Sequence, residues 1–92
     1  MHRESEQYRF ARIEGYIIML ARLQEKFEDR AVNLEEMEAS VVEQLAKENL
    51  CAQWRPSETE RAGCCEGMRL AAHEFLSQYR AAIRDLRLNR PV

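Results

Sequence analysis

From Glu4 to about Glu28 no proline interrupts the chain, and Phe10, Ile13, Ile17, Leu20, Gln24 and Phe27 recur at alternating steps of three and four. Such spacing places them on one stripe of a helix with a heptad period. A helix over 4–28 would run about 36 Å, which is long for a chain of 92 residues.

Asn33 is a good N-cap, and Glu36 stands three residues later, where its carboxylate can complete a capping box. A second helix is therefore predicted over 34–49. Its apolar stripe is Leu34, Met37, Val41 and Leu45, widened by Val42 and Ala46, and five glutamates occupy the rest of its surface. In the following connector Pro56 holds Arg55 in extended conformations. Ser57 and Glu60 then form a second S-x-x-E start signal. From Glu58 to about Leu88 the positions Cys65, Met68, Ala72, Phe75, Tyr79, Ala82 and Leu86 step by three and four, with Leu76 and Ile83 beside them, and Asn89 and Pro91 follow. The pattern predicts an all-α fold: a three-helix antiparallel bundle with helices over 4–28, 34–49 and 58–88, forming a single domain over 1–92.

Size changes the picture. A chain this short buries only about 60–65% of its unfolded surface, so its core must be small and oligomerisation would help it. The block YIIML at 16–20 covers more than one helical turn with large apolar side chains, more than a single seam can hide. Tyr16, Ile18, Met19 and Leu23 are accordingly candidates for a dimer or partner interface, and a homodimer is expected.

Gly63, Gly67 and Ala71 recur every four residues. Glycine within a helix costs about 1 kcal/mol relative to alanine, and close approach of another helix would offset it. The face suits a crossing within the chain and one between chains equally, and its three residues join the candidate interface. A faint echo between EGYIIMLARL at 14–23 and EGMRLAAHEF at 66–75 reads as two long helices that each need a small residue where they cross.

Composition excludes several classes. A third of the residues are charged and the net charge is -2, which argues against a nucleic-acid binder; so do helices too long for a helix-turn-helix. Residues 1–50 carry seven Lys/Arg against eleven Asp/Glu, and residues 51–92 carry seven against five. The longest apolar block, 16–21, is far too short to span a bilayer or form a signal segment, so a cytoplasmic protein is expected.

The three cysteines suit reduced thiols. Cys64 and Cys65 are helix neighbours, so their side chains diverge by about 100° and cannot share a tetrahedral metal. Neither forms a C-x-x-C pair, and both read as small packing residues. No metal and no cofactor is expected.

Arginines outnumber lysines twelve to two, with Arg80, Arg84 and Arg87 on one face of the last helix and Arg90 just beyond. This reads as a solvated face that complements the helix dipole. Trp54, beside Arg55 and Pro56, is expected to pack over the open end of the bundle; exposed, it would be a hot-spot residue for a partner. His73 has no nucleophile and orienting acid placed beside it by sequence.

Two functions fit these features. One is a small non-catalytic regulatory protein that binds and modulates, in the inhibitory sense, a protein partner, as anti-activators and phage-encoded inhibitors do. The other follows from outline: long, short and long helices, with Arg12 and Arg30 on and just after the first, resemble the helical chorismate mutases. That resemblance implies an intertwined dimer with sites lined by arginine and lysine. No lysine stands in 39–42, where the family's pattern would place one, and no catalytic residue is carried over. The non-enzymatic reading is the main expectation.

Overall fold

The computed structural model describes residues 5–28 and 33–88. Among the described residues there are three helices: α1 over Glu6–Phe27, α2 over Leu34–Ala52 and α3 over Glu58–Leu88. Each starts where a side chain can accept from an otherwise orphaned N–H. Ser5 Oγ accepts from Tyr8 N at 3.1 Å, Asn33 Oδ1 from Glu36 N at 2.8 Å and Ser57 Oγ from Glu60 N at 3.0 Å. Helix α2 runs three residues beyond the expected 49, through Cys51 to Ala52, before the chain turns at 53–57.

Successive helices run antiparallel, so α1 and α3 point the same way, and α2 runs against both. Ion pairs mark this arrangement. Arg80 Nη2 of α3 lies 2.6 Å from Glu38 Oε1 near the start of α2, Arg22 of α1 lies 3.6 Å from Glu48, and Arg55 after α2 reaches back to Glu14 at 3.0 Å.

The α1–α3 contact is the most extensive in the fold, and all three glycines of the chain lie in it. A Cβ on Gly67 would be driven into the Arg12 carbonyl oxygen and would stand 2.8 Å from Tyr16 N. One on Gly63 would lie 2.5 Å from the Tyr8 oxygen, and one on Gly15 would meet the Cys64 carbonyl and stand 3.0 Å from its Cα. The obstacles are backbone atoms, which no rotamer change can move. None of the glycines has a positive φ, so they are present for proximity and not for backbone freedom. The small-residue face of α3 is therefore used within the chain.

Side-chain size follows the separation of the helices. At the tight end lie Ala11, Gly15, Ala52, Gly63, Cys64 and Gly67, all buried. Towards the other end the space widens and is filled by Met19, Leu23, Met37, Val41 and Met68, the largest fully buried side chains. Methionine suits such a junction because its unbranched chain fills irregular gaps. Phe27 and Phe75 extend it, with ring centroids 5.9 Å apart and planes tilted by 31°.

The expected seam of α1 is not its core seam. The buried row is Ala11, Gly15, Met19 and Leu23, each four residues from the last. Phe10, Ile13 and Ile17 point away from it, at 59%, 52% and 59% exposure, while Leu20 and Phe27 are partly buried at its edge. The reason is the close approach itself: only the small-residue side of α1 can reach α3, so the large side is turned outward. In α2 Met37 and Val41 are buried and Leu45 packs against the core as expected, Leu34 is half-buried, and Val42 and Ala46 are exposed. In α3 the buried residues are Gly63, Cys64, Gly67, Met68, Ala71 and Ala72, so the seam is centred one position before the expected one; Cys65 is half-buried and Ala82 exposed. Ile83 and Leu86 lie within α3, but their side chains are outside the described set.

The glycine contact gives a test by substitution. Gly67→Ala should raise helix propensity by about 1 kcal/mol in isolation, yet lower the stability of the fold by about 1–3 kcal/mol, because the added methyl overpacks against backbone. Urea denaturation would read the difference; a Gly67→Ala protein as stable as wild type would mean that the helices are not in backbone contact.

Candidate protein interface

The helix that carries the core on one side carries a second apolar surface on the other. Ile13 and Ile17 each stand two residues after a member of the small row, Ala11 and Gly15, which sets them about 200° round the helix. Phe10 joins them on the outward face, and Leu20 continues the line at its half-buried edge. These three large exposed side chains form an apolar stripe along the outward side of one helix.

The connector after α2 supplies the flank. Arg55 is fixed by two contacts: its guanidinium bonds Glu14 Oε2 on α1, and its carbonyl accepts from Arg61 Nη1 at 2.8 Å. Burial opposes the charge on Arg55, but the Glu14 hydrogen bond and the neighbouring Cys64 outweigh it, and the group is held more firmly charged than usual. Phe10, Ala11, Glu14, Arg55, Glu60 and Gln7 line an open cleft of about 400 Å³ between the stripe and the connector. The other side of Phe10 is a shallow depression of about 220 Å³ bounded by Glu6, Arg9, Phe10 and Ile13.

Trp54, next to Arg55, is 89% exposed, and Leu50 on the preceding turn is 71% exposed. Trp54 thus does not cover the open end of the bundle. The turn that follows Ala52 holds it outside the core, with its N–H donating to the Cys51 carbonyl at 3.1 Å.

The expected interface residues separate into two groups. Met19 and Leu23 are fully buried among the chain's own helices, as is Ala71; Gly63 and Gly67 are covered by α1. None of these five presents a surface to a partner in this fold. Ile18 at 39%, Trp54, and in part Tyr16 remain accessible. Missing from the expected set were Phe10, Ile13, Ile17 and Leu50. A signal for the first three existed in the sequence: Ala11 and Gly15 form a small-residue row matching Gly63 and Gly67, and a close crossing of the two rows turns the opposite side of α1 outward.

Tyr16 joins the two long helices. Its hydroxyl donates to Glu74 Oε2 on α3, and this bond to a carboxylate, with lesser contributions from desolvation and the Glu74 charge, pushes the phenol above its ordinary value of 10.0. Cys64 is buried and Cys51 exposed; burial, then the adjacent Cys64, pushes the Cys65 thiol up, which disfavours its thiolate. Arg80 is engaged with Glu38, while the side chain of Arg87 and all of Arg90 lie outside the described set. Arg12 is half-buried at the α1–α3 crossing, and Arg30 lies outside the described residues. Among the described residues no group of three or more His, Cys, Asp or Glu is placed to hold a metal, and no described helix is long and apolar enough to cross a membrane.

Comparison with known proteins finds no matching family model, no matching curated protein and no matching solved structure.

The Tyr16 bond makes a pH prediction. A phenol whose folded value is raised contributes stability that is fully present below its unfolded value and is lost as pH rises through the folded one. The stability difference between wild type and Tyr16→Phe should therefore persist from neutral pH to about 10 and close at higher pH. Urea titrations of both proteins at neutral and strongly alkaline pH would check this; a gap unchanged at alkaline pH would show that Tyr16 acts by packing alone.

Proposed function

We propose that this chain is a small non-catalytic helical protein that binds another protein and modulates it, in the manner of an inhibitor or anti-activator. One observation carries the reading: the fold turns its largest unburied apolar side chains outward, Phe10, Ile13 and Ile17 along α1 and Leu50 and Trp54 at the connector. Isolated exposed apolar residues are ordinary, whereas a contiguous set on a fixed scaffold is what a docking surface requires. The scaffold is fixed here by backbone contact between α1 and α3, so little ordering entropy is lost when the stripe or the connector is covered.

Trp54 is the anchor. A large ring at a protruding turn, with apolar Leu50 on the preceding turn and the Arg55–Glu14 pair next to it, has the mixed apolar and polar surroundings in which tryptophan contributes most to binding. Modulation would then follow from occupancy: a rigid helical body seated on a partner blocks whatever that surface otherwise meets.

Because Trp54 is almost fully exposed, Trp54→Ala should change the stability of the chain by no more than about 0.5 kcal/mol. It should weaken partner binding by about 2 kcal/mol, or roughly thirtyfold. Affinity capture from the native cell, quantified by mass spectrometry for wild type and Trp54→Ala, measures this. Equal recovery of the same proteins by both would refute Trp54 as the anchor.

A further inference from the structure

The α1 stripe has features that name its occupant. Phe10, Ile13, Ile17, Leu20 and Gln24 keep the spacing of a heptad seam, with Phe10, Ile17 and Gln24 at a positions and Ile13 and Leu20 at d positions. Its first three apolar members do not serve the chain's own core, since Phe10, Ile13 and Ile17 are exposed, while Leu20 lies at the core's edge. A heptad seam is matched by another heptad seam, because knobs from one helix enter holes formed by four residues of the other. One such hole is already present: the depression bounded by Glu6, Arg9, Phe10 and Ile13. Those residues are at i, i+3, i+4 and i+7, the four corners of a coiled-coil hole.

We propose that the α1 stripe is covered by the same stripe of a second copy, in parallel orientation, giving a homodimer through back-to-back α1 helices. This rests on the reading of the exposed apolar surface as an interaction surface and assigns one part of it. In a parallel pair the hole at Glu6, Arg9, Phe10 and Ile13 receives the Phe10 ring of the second copy, and the reverse holds by symmetry. An isoleucine at a with leucine at d, as in Ile17 and Leu20, favours two strands.

The flanking charges choose the orientation. Arg9 stands at a g position and Glu14 at the following e position, the pair that meets across a parallel interface. Both copies contribute, so two Arg9–Glu14 pairs form. Glu14 keeps its bond to Arg55 at 3.0 Å, yet its side chain is 57% exposed, and a carboxylate can accept from both guanidinium groups. An antiparallel pair matching the same apolar residues would instead bring Glu14 beside Glu14 of the second copy. Glu6, at the d position before Phe10, ends the seam in the exposed first turn, where its carboxylate stays in water.

The area is that of one helix face, at the low end for a specific interface, so a dissociation constant of roughly 10 μM is expected. Trp54 and Leu50 remain free for the modulated partner, and the dimer presents them twice.

The test is solution mass by sedimentation equilibrium, with circular dichroism to verify folding. Wild type at about 100 μM, with roughly four-fifths of its chains paired, should have a weight-average mass about 1.8 times the chain mass of 10.9 kDa. Ile17→Glu should be monomeric with unchanged helicity, since Ile17 faces away from the core. Arg9→Glu alone and Glu14→Arg alone should each weaken the dimer about tenfold. Mixed in equal amounts they should form a heterodimer as tight as wild type, because both cross-pairs are then attractive. A monomeric wild type, an Ile17→Glu dimer, or a mixture no tighter than its separate components overturns the proposal. A monomeric wild type whose partner capture still depends on Trp54 would overturn the homodimer and leave the partner-docking reading in place.

Discussion

The contact between the Gly67 position and the Arg12 carbonyl constrains the rest of the molecule. Two helices that touch through their backbones can do so only where both lack side chains of any size, and here Ala11 and Gly15 on α1 meet Gly63, Cys64 and Gly67 on α3. Once that line is set, the rotation of α1 about its axis is set with it. Large side chains on the same helix then have two destinations: the widening end of the α1–α3 gap, or the solvent. Met19 and Leu23 take the first; Phe10, Ile13 and Ile17 take the second.

The same constraint places α2. Near the tight end it can contribute only Ala52 to the buried set, whereas at the open end it inserts Met37 and Val41. Its charged edge carries Arg80–Glu38, an exposed pair that adds little stability by itself, and Arg22–Glu48, in which the arginine is exposed and the glutamate largely covered. They favour one register of α2 over its neighbours. The buried large side chains are few, three of them methionines, so the core is adaptable as well as small, and covering further apolar surface would benefit a chain of this length.

Element order, helix starts and the N-caps at Asn33 and Ser57 were legible in the sequence because they depend on local chemistry, a side-chain oxygen beside a free N–H, whereas α2 ran three residues past its expected end. The inward row of α2 was legible for the same reason, since there the large residues are the buried ones. The rotation of α1 was not. Heptad spacing reports that Phe10, Ile13 and Ile17 share a face, but it does not say what that face meets, and the assumption that the largest apolar row is the core row fails where helices pack through their smallest. Gly63 and Gly67 were recognised as a crossing face, yet whether the crossing lay within the chain could be decided only by finding Tyr8, Arg12 and Tyr16 against them. Trp54 was misplaced for a related reason. A large ring in a connector has burial to gain, but with α2 extended to Ala52 the turn leaves it beyond the end of the core.

One helix, α1, carries two apolar faces. A surface α-helix usually commits one stripe to the interior and leaves the remainder polar. In α1 the commitment is divided by size: a narrow row of small residues makes the intrachain contact, and a wide row of large ones lies on the far side. The division is economical for a short chain, because a backbone-close contact fixes α1 with little side-chain volume and leaves the bulkier residues for an outward face. It also makes the outward face rigid, since any rotation of α1 that moved Ile13 or Ile17 would drive Arg12 and Tyr16 into the α3 backbone at Gly63 and Gly67. The intrachain glycine contact thus holds the exposed stripe in register.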